Sequence, residues 1–406
     1  MDDSSYTPLH HAALNGHTRT VELLLVQGAL IEATDKDQNT PLHLAVWKSH
    51  TDVAELLFDN GSSIHAQNRF GNTPLHLAAW NGNVGVGELI LRKGAQTETR
   101  NKYKNTPLHL AASRGHTGMV ELLLKVDALI EAPCRGGNTP LHLTARSGHI
   151  GAMKLLLMKG AQIQARNHDD NSPLHLAACN GHSSVVELLL TTGALIESAG
   201  RRSRTPLHRA AQCGYTDVVE LLLIKGAVIE ARDRYYNTTL HLAAWGECPG
   251  VVELLLMKGA VIEARDQYNR TPLHLAVEGS CTGIVELLLM RGALIEARDE
   301  DNNTPLHIAA GGEYTGAVEL LLAKGASIEA RDYDNNTPLH TAAGSGYSGS
   351  VKLLLEKGAS IEARNIFNST PLDIAAQHGH VDTLQILQNK AAELAHENGA
   401  RYVALG

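Results

Sequence analysis

The string Thr-Pro-Leu-His begins at Thr7, Thr40, Thr73, Thr106, Thr139, Thr205, Thr271, Thr304 and Thr337, and variants hold the same frame at Ser172, Thr238 and Thr370. Every interval between successive starts is 33 residues. A unit of that size cannot bury a hydrophobic face alone, so neighbours must stack and share a core distributed along the chain. The phase is kept without insertion, which leaves no room for a second globular fold. Residues 1–390 therefore read as a single repeat domain of twelve units, with 391–406 as a helix extension and C-terminal tail.

Each unit reads as two antiparallel helices and an extended hairpin loop, an all-α repeat solenoid. Thr40 caps the first helix and Pro41 sits at its first position, where a missing N–H is harmless. Leu42, Leu44, Ala45 and Val46 supply its packing face, and the small alanines let neighbours approach. The second helix runs from about Thr51 through Val53, Leu56, Leu57 and Phe58 to Gly61. Gly61, like Gly28 and Gly94, suits a helix C-terminus that needs positive φ. The segment Ala227–Asp233 is too short for a helix and reads as an extended arm. Its outer turn carries Gly71, Gly137, Asn269, Asn302, Asn335 and Asn368, which tolerate a left-handed backbone. Lys104 and Tyr236 at the same position imply either a different turn or local strain.

The pattern resembles the ankyrin repeat. The residues that carry the resemblance are the Thr-Pro-Leu-His-Leu-Ala-Ala core, Gly115-His116 and Gly181-His182 between the helices, the Val-Glu-Leu-Leu-Leu run from Val21 to Leu25, and the Gly28-Ala29 close. The resemblance implies a solenoid whose hairpin loops and first helices line a concave face, with second helices on the convex back. It also implies protein recognition: a non-catalytic protein–protein interaction scaffold, the alternative being a structural or self-assembling repeat element.

Composition narrows the function classes. Hydrophobic residues make up 43% of the chain and charged residues 19%, so it folds. The net charge of -8 argues against nucleic acid as a partner. No apolar run is long enough to span a membrane. The acidic Met1-Asp2-Asp3-Ser4 start argues against a secretory leader, and the five cysteines show neither a disulfide framework nor a metal spacing. A cytoplasmic protein without cofactor or metal, monomeric when free, is the expectation. Most of the 22 histidines belong to the repeat. His10, His43, His76, His109 and their successors fall at the third helical position beside the Thr cap, too far apart to share a metal. Gly344-Ser345-Gly346-Tyr347-Ser348-Gly349 matches a dinucleotide fingerprint in letters only, since it follows a helix and not a strand.

Subtracting the repeat leaves the positions that the fold does not dictate. After the Ala-Ala of the first helix stand all three tryptophans, Trp47, Trp80 and Trp245. The hairpin tips add Phe70, Tyr103, Tyr235, Tyr236 and Tyr268. Two aromatic stations follow, one of Trp47, Trp80, Phe70 and Tyr103 and one of Trp245, Tyr235, Tyr236 and Tyr268. Large amphipathic rings are favoured protein-binding anchors. The central arms carry Lys102, Lys104, Arg135, Arg201, Arg202, Arg204 and Arg234, and the later ones Glu300, Asp301, Asp332 and Asp334, so the expected protein partner has an acidic stretch. The ladder Arg232, Arg265, Arg298, Arg331 and Arg364 is expected to pair with acids of neighbouring arms. In repeats eight to ten the interhelical glycine moves one residue earlier, to Gly246, Gly279 and Gly312, which predicts a turn shifted in register and a soft joint. The last repeat, with Asp373 in place of the repeated His and a polar second helix, reads as a terminal unit facing water.

Overall fold

The computed structural model describes residues 5–404; Met1–Ser4, the stretch behind the leader argument, and the last two residues of the tail lie outside the described residues. Two compact units divide the chain, Met1–Arg201 and Arg202–Gly406. In the first, helix pairs run from Pro8–Leu14 with Thr18–Val26 to Pro173–Cys179 with Ser183–Thr191. In the second they run from Pro206–Gln212 with Thr216–Ile224 to Pro371–His378 with Val381–Ala404. Within each unit, first helices pack on first helices and second on second. The repeated Leu and Ala-Ala of the first helices, such as Leu75, Ala78 and Ala79, are fully buried, as are Val53, Ala54 and Leu57 of a second helix. Each unit is thus an all-α solenoid of stacked helix-turn-helix repeats. No helix among the described residues is long and apolar enough to cross a membrane.

The local signals act as their chemistry requires. At every first helix the cap residue and the residue three positions on exchange hydrogen bonds in a capping box. The histidine does more than cap. Thr106 N–H donates to His109 Nδ1 (3.2 Å), and His109 Nε2 faces the carbonyl of Asn138 in the next repeat (3.2 Å). A carbonyl accepts only, so Nε2 carries the proton, and Nδ1, receiving an N–H, has none. The ring of His109 is thus a neutral staple between repeats, and His43, His76, His142, His241 and His274 make the same pair of contacts. Burial pushes His43, His76, His109, His142, His241 and His274 down to about 4. Asp373 reproduces only the capping half, accepting from the Thr370 backbone N–H (2.8 Å).

A second staple lies at the interhelical turn. His50, His116, His149 and His182 reach back 36 residues to the carbonyls of Leu14, Trp80, Ser113 and Arg146. The preceding turn glycine makes room: a Cβ on Gly115 would lie 2.6 Å from the His149 ring. The arms are joined by one backbone hydrogen bond per repeat, as from Lys102 N–H to the Phe70 carbonyl and from Arg135 N–H to that of Tyr103. The repeated glutamates are absorbed too, Glu98 accepting from Leu129 N–H and Glu263 from Leu294 N–H (both 2.9 Å).

Two expectations are corrected. The arginine ladder binds backbone carbonyls and not the acids of neighbouring arms: Arg265 donates to Asn269 and Arg298 carbonyls (2.7 and 2.6 Å), with Glu263 of its own arm 3.8 Å away, and Arg331 donates to those of Asn335 and Arg364 (2.7 and 3.0 Å). A guanidinium has donors enough to close its own hairpin and tie it to the next. The turns of repeats eight to ten also keep their register. Glu247, Ser280 and Glu313 adopt the positive φ (56°, 58° and 57°) that glycine takes elsewhere, as at Gly148 (79°). Gly246 is small for another reason, since a Cβ there would meet the Gln212 carbonyl at 2.5 Å. At the hairpin tips Lys104 (59°) and Tyr236 (61°) keep the common turn, so the strained alternative holds.

Candidate partner-binding groove

In the first unit, the helices Pro41–Trp47 and Pro74–Asn81 carry the two tryptophans in their last turns, and the hairpin tips that follow carry Phe70 and Tyr103. The stacking brings all four to one groove of about 670 Å³. Leu44, Leu77 and Leu110 line its apolar side, and Asn72 and Asn105 add carboxamides. The rings are accessible: Trp47 is 42% exposed and Tyr103 53%. Their backbones are pinned, with Asn81 Nδ2 donating to the Trp47 carbonyl (2.7 Å) and His116 Nε2 to that of Trp80 (2.9 Å). One face of Trp80 lies under the Arg114 guanidinium, 3.6 Å from the ring centroid, and Arg69 stands 5.1 Å from the centre of Phe70. Arginine from the same or the next repeat thus braces part of this station, and Trp47 keeps an open ring.

Family models described as ankyrin repeats (3 copies) match residues 1–68, 75–167, 164–233, 231–299, 284–365 and 332–398, and one described as ankyrin repeats (many copies) matches residues 48–91. The chain belongs to the ankyrin repeat family. A search of curated proteins finds no match to it. The ankyrin fold is a support for protein–protein interaction, so the features that set one ankyrin repeat apart from its neighbours deserve the functional weight.

The second aromatic station lies in the second unit. Trp245 is 48% exposed at the end of its helix. Tyr235 lies half-buried near Arg202 (5.7 Å) and Tyr236 near Arg232 (6.0 Å). Tyr268, beside Arg270 (5.0 Å), lines a separate groove of about 510 Å³ with Glu278, Glu300, Asp301 and Ile308, and none of the other three rings lines it. Of the basic residues, Lys102, Lys104 and Arg135 are exposed in the first unit, where Arg201 pairs with Asp169 (2.9 Å). Arg202 and Arg234 are exposed in the second. Arg204 leaves the surface set altogether: its guanidinium is buried against the fully buried Asp233 (3.2 Å) and donates to Gln212 (2.7 Å).

Among the described residues no group of His, Cys, Asp and Glu is arranged to hold a metal, and the cysteines form no disulfide. The apparent dinucleotide motif spans the end of the helix Pro338–Ser345, a turn with Gly346 at φ 79°, and the start of Ser348–Glu356. It is an ankyrin interhelical turn.

Two informative residues escaped the sequence reading. Arg209 occupies the position held by Leu44, Leu77 and Leu110 in the first unit, half-buried, with its Nε buried and without a hydrogen-bond partner. The broken leucine series was its signal. Asn105 is the other. Asn101 Nδ2 donates to Asn72 Oδ1 (2.8 Å) and Asn167 Nδ2 to Asn138 Oδ1 (2.8 Å), but the corresponding partner of Asn105 is Cys134. Cys134 is buried, its thiol pushed up by burial and directed to the Arg135 carbonyl (3.5 Å).

Proposed function

We propose that the twelve 33-residue units form one non-catalytic scaffold that holds a protein partner on its concave face. Trp47, Trp80, Phe70 and Tyr103 are the principal contacts, and the basic residues Lys102, Lys104, Arg135, Arg201 and Arg202 steer an acidic stretch of the partner. Trp245, Tyr235, Tyr236 and Tyr268 serve as secondary, separate contacts. The observation that carries this reading is the convergence of four rings from variable repeat positions on one groove. Repeated residues around them hold repeats together, as His76, Glu98 and Arg100 do through main-chain groups of the next repeat. The rings stand at positions the repeat does not dictate.

A central aromatic anchor is worth about 2 kcal/mol or more on truncation. Affinity capture from the native cell, compared between the intact chain and the Trp47→Ala/Trp80→Ala variant with equal helicity, should show a partner lost from the variant. Equal capture by both chains refutes the groove as the contact.

A further inference from the structure

The groove in the first unit has a cationic rim and an unused carboxamide, and together these specify what fits it. Lys48 lines the groove, and Lys102 and Lys104 flank Tyr103 on the exposed tip. None of these lysines has a carboxylate partner, whereas the nearby acids already accept hydrogen bonds within the fold. Asp35 accepts from Asp37 N–H and Asn39 N–H (both 2.8 Å), Asp37 pairs with Arg69 (2.7 Å), and Glu98 caps Leu129 N–H (2.9 Å). Asn105, half-buried in the same groove, makes no side-chain hydrogen bond, because Cys134 stands where neighbouring repeats supply an asparagine donor. Its carboxamide offers one acceptor oxygen and two donor hydrogens.

We infer that the groove binds an extended peptide segment of the partner, with apolar residues at every third position and acidic residues between them, its main chain read by Asn105. This rests on the reading of the groove as the partner site. A helix satisfies its own main-chain amides and leaves a carboxamide no main-chain group to pair with, whereas an extended chain presents them. The spacing agrees. Trp47 and Trp80 hold equivalent positions one repeat apart, about 10 Å given the width of a packed helix. A polyproline II chain rises about 3.1 Å per residue with three residues per turn, so every third side chain returns to the same face after about 9 Å. Aromatic-lined grooves suit that conformation. Acids between the anchors then meet Lys48, Lys102 and Lys104.

The test is a phage-displayed library of random 12-residue peptides panned on the full chain, followed by fluorescence anisotropy of labelled enriched peptides. Enriched sequences should carry acids between apolar residues three apart, with affinity falling as salt rises. Trp47→Ala should weaken them at least thirtyfold. Cys134→Asn, which restores the ladder donor and occupies the Asn105 oxygen, should weaken them about tenfold while leaving thermal stability equal or higher. Enriched peptides that are basic, or patterned as amphipathic helices, or indifferent to Cys134→Asn while lost on Trp47→Ala, overturn this inference and leave the groove as the partner site. A library that yields no binder also overturns this inference alone, whereas peptides whose binding survives Trp47→Ala overturn both.

Discussion

Acid should unfold this protein through its buried histidines well above the range in which carboxylates titrate. In the folded chain, His43, His76, His109, His142, His241 and His274 hold a bare Nδ1 against a backbone N–H and titrate only at about 4, against an ordinary value of 6.5. Desolvation is the main cause. The unfolded chain therefore binds protons that the folded chain refuses, and the stability these rings contribute is complete above 6.5 and lost as pH falls toward 4. Moving from about pH 7 to about pH 5 removes about 2 kcal/mol per ring, on the order of 10 kcal/mol for the six. Urea unfolding followed by far-UV circular dichroism at those two pH values and midway between them measures it. The midpoint should fall steeply. His109→Gln keeps an acceptor for Thr106 but removes one titrating ring, so the slope of stability against pH between about 5 and 6 should decrease by nearly one proton, about 1.4 kcal/mol per pH unit. A parent midpoint that holds to pH 5, or a variant slope equal to the parent's, refutes the assignment of these rings as neutral staples.

The strained turns and the close-packed glycines make further tests. Glu313→Gly replaces a side chain at φ 57° and should stabilise the second unit by about 0.5–1 kcal/mol, read from the thermal midpoint. By hydrogen exchange, the turns at Glu247, Ser280 and Glu313 should be less protected than those at Gly115 and Gly148, and equal protection removes the soft-joint reading. Gly115→Ala, with its Cβ 2.6 Å from the His149 ring and φ at 73°, should destabilise by about 2 kcal/mol; adding His149→Ala should relieve the clash and leave the backbone strain, a coupling that a double-mutant cycle detects. Arg204→Met strands the buried Asp233 carboxylate and should cost about 3 kcal/mol or more, whereas the same change at the exposed pair Arg201–Asp169 should cost under about 1 kcal/mol in chemical denaturation.

Much of this was legible from the sequence because the repeat prints each structural choice many times. The Thr cap, the proline at the first helical position and the Gly-Ala close each appear at a fixed offset, and a role repeated at one offset is a role in the fold. The same logic misled at Arg298 and Arg331, where charge suggested acids but the guanidinium goes to main-chain carbonyls. Carbonyl oxygens have no letter in a sequence. It misled again at Gly246, which is glycine because the Gln212 carbonyl is close and not because its backbone is left-handed.

The 33-residue period by itself determined the element order, the caps, the buried alanines and leucines, and which positions the fold left variable, since all of these follow from local propensity and from a spacing that places like residues in register. What the tertiary structure decided was which leftover residues meet. Trp47, Trp80, Phe70 and Tyr103 converge on one groove, Tyr268 lines another with Glu278 and Asp301, and Arg204 is withdrawn into a buried pair while Lys102 stays in water. Those outcomes depend on side chains from adjacent repeats competing for the same space and the same hydrogen bonds, and no single repeat contains that information.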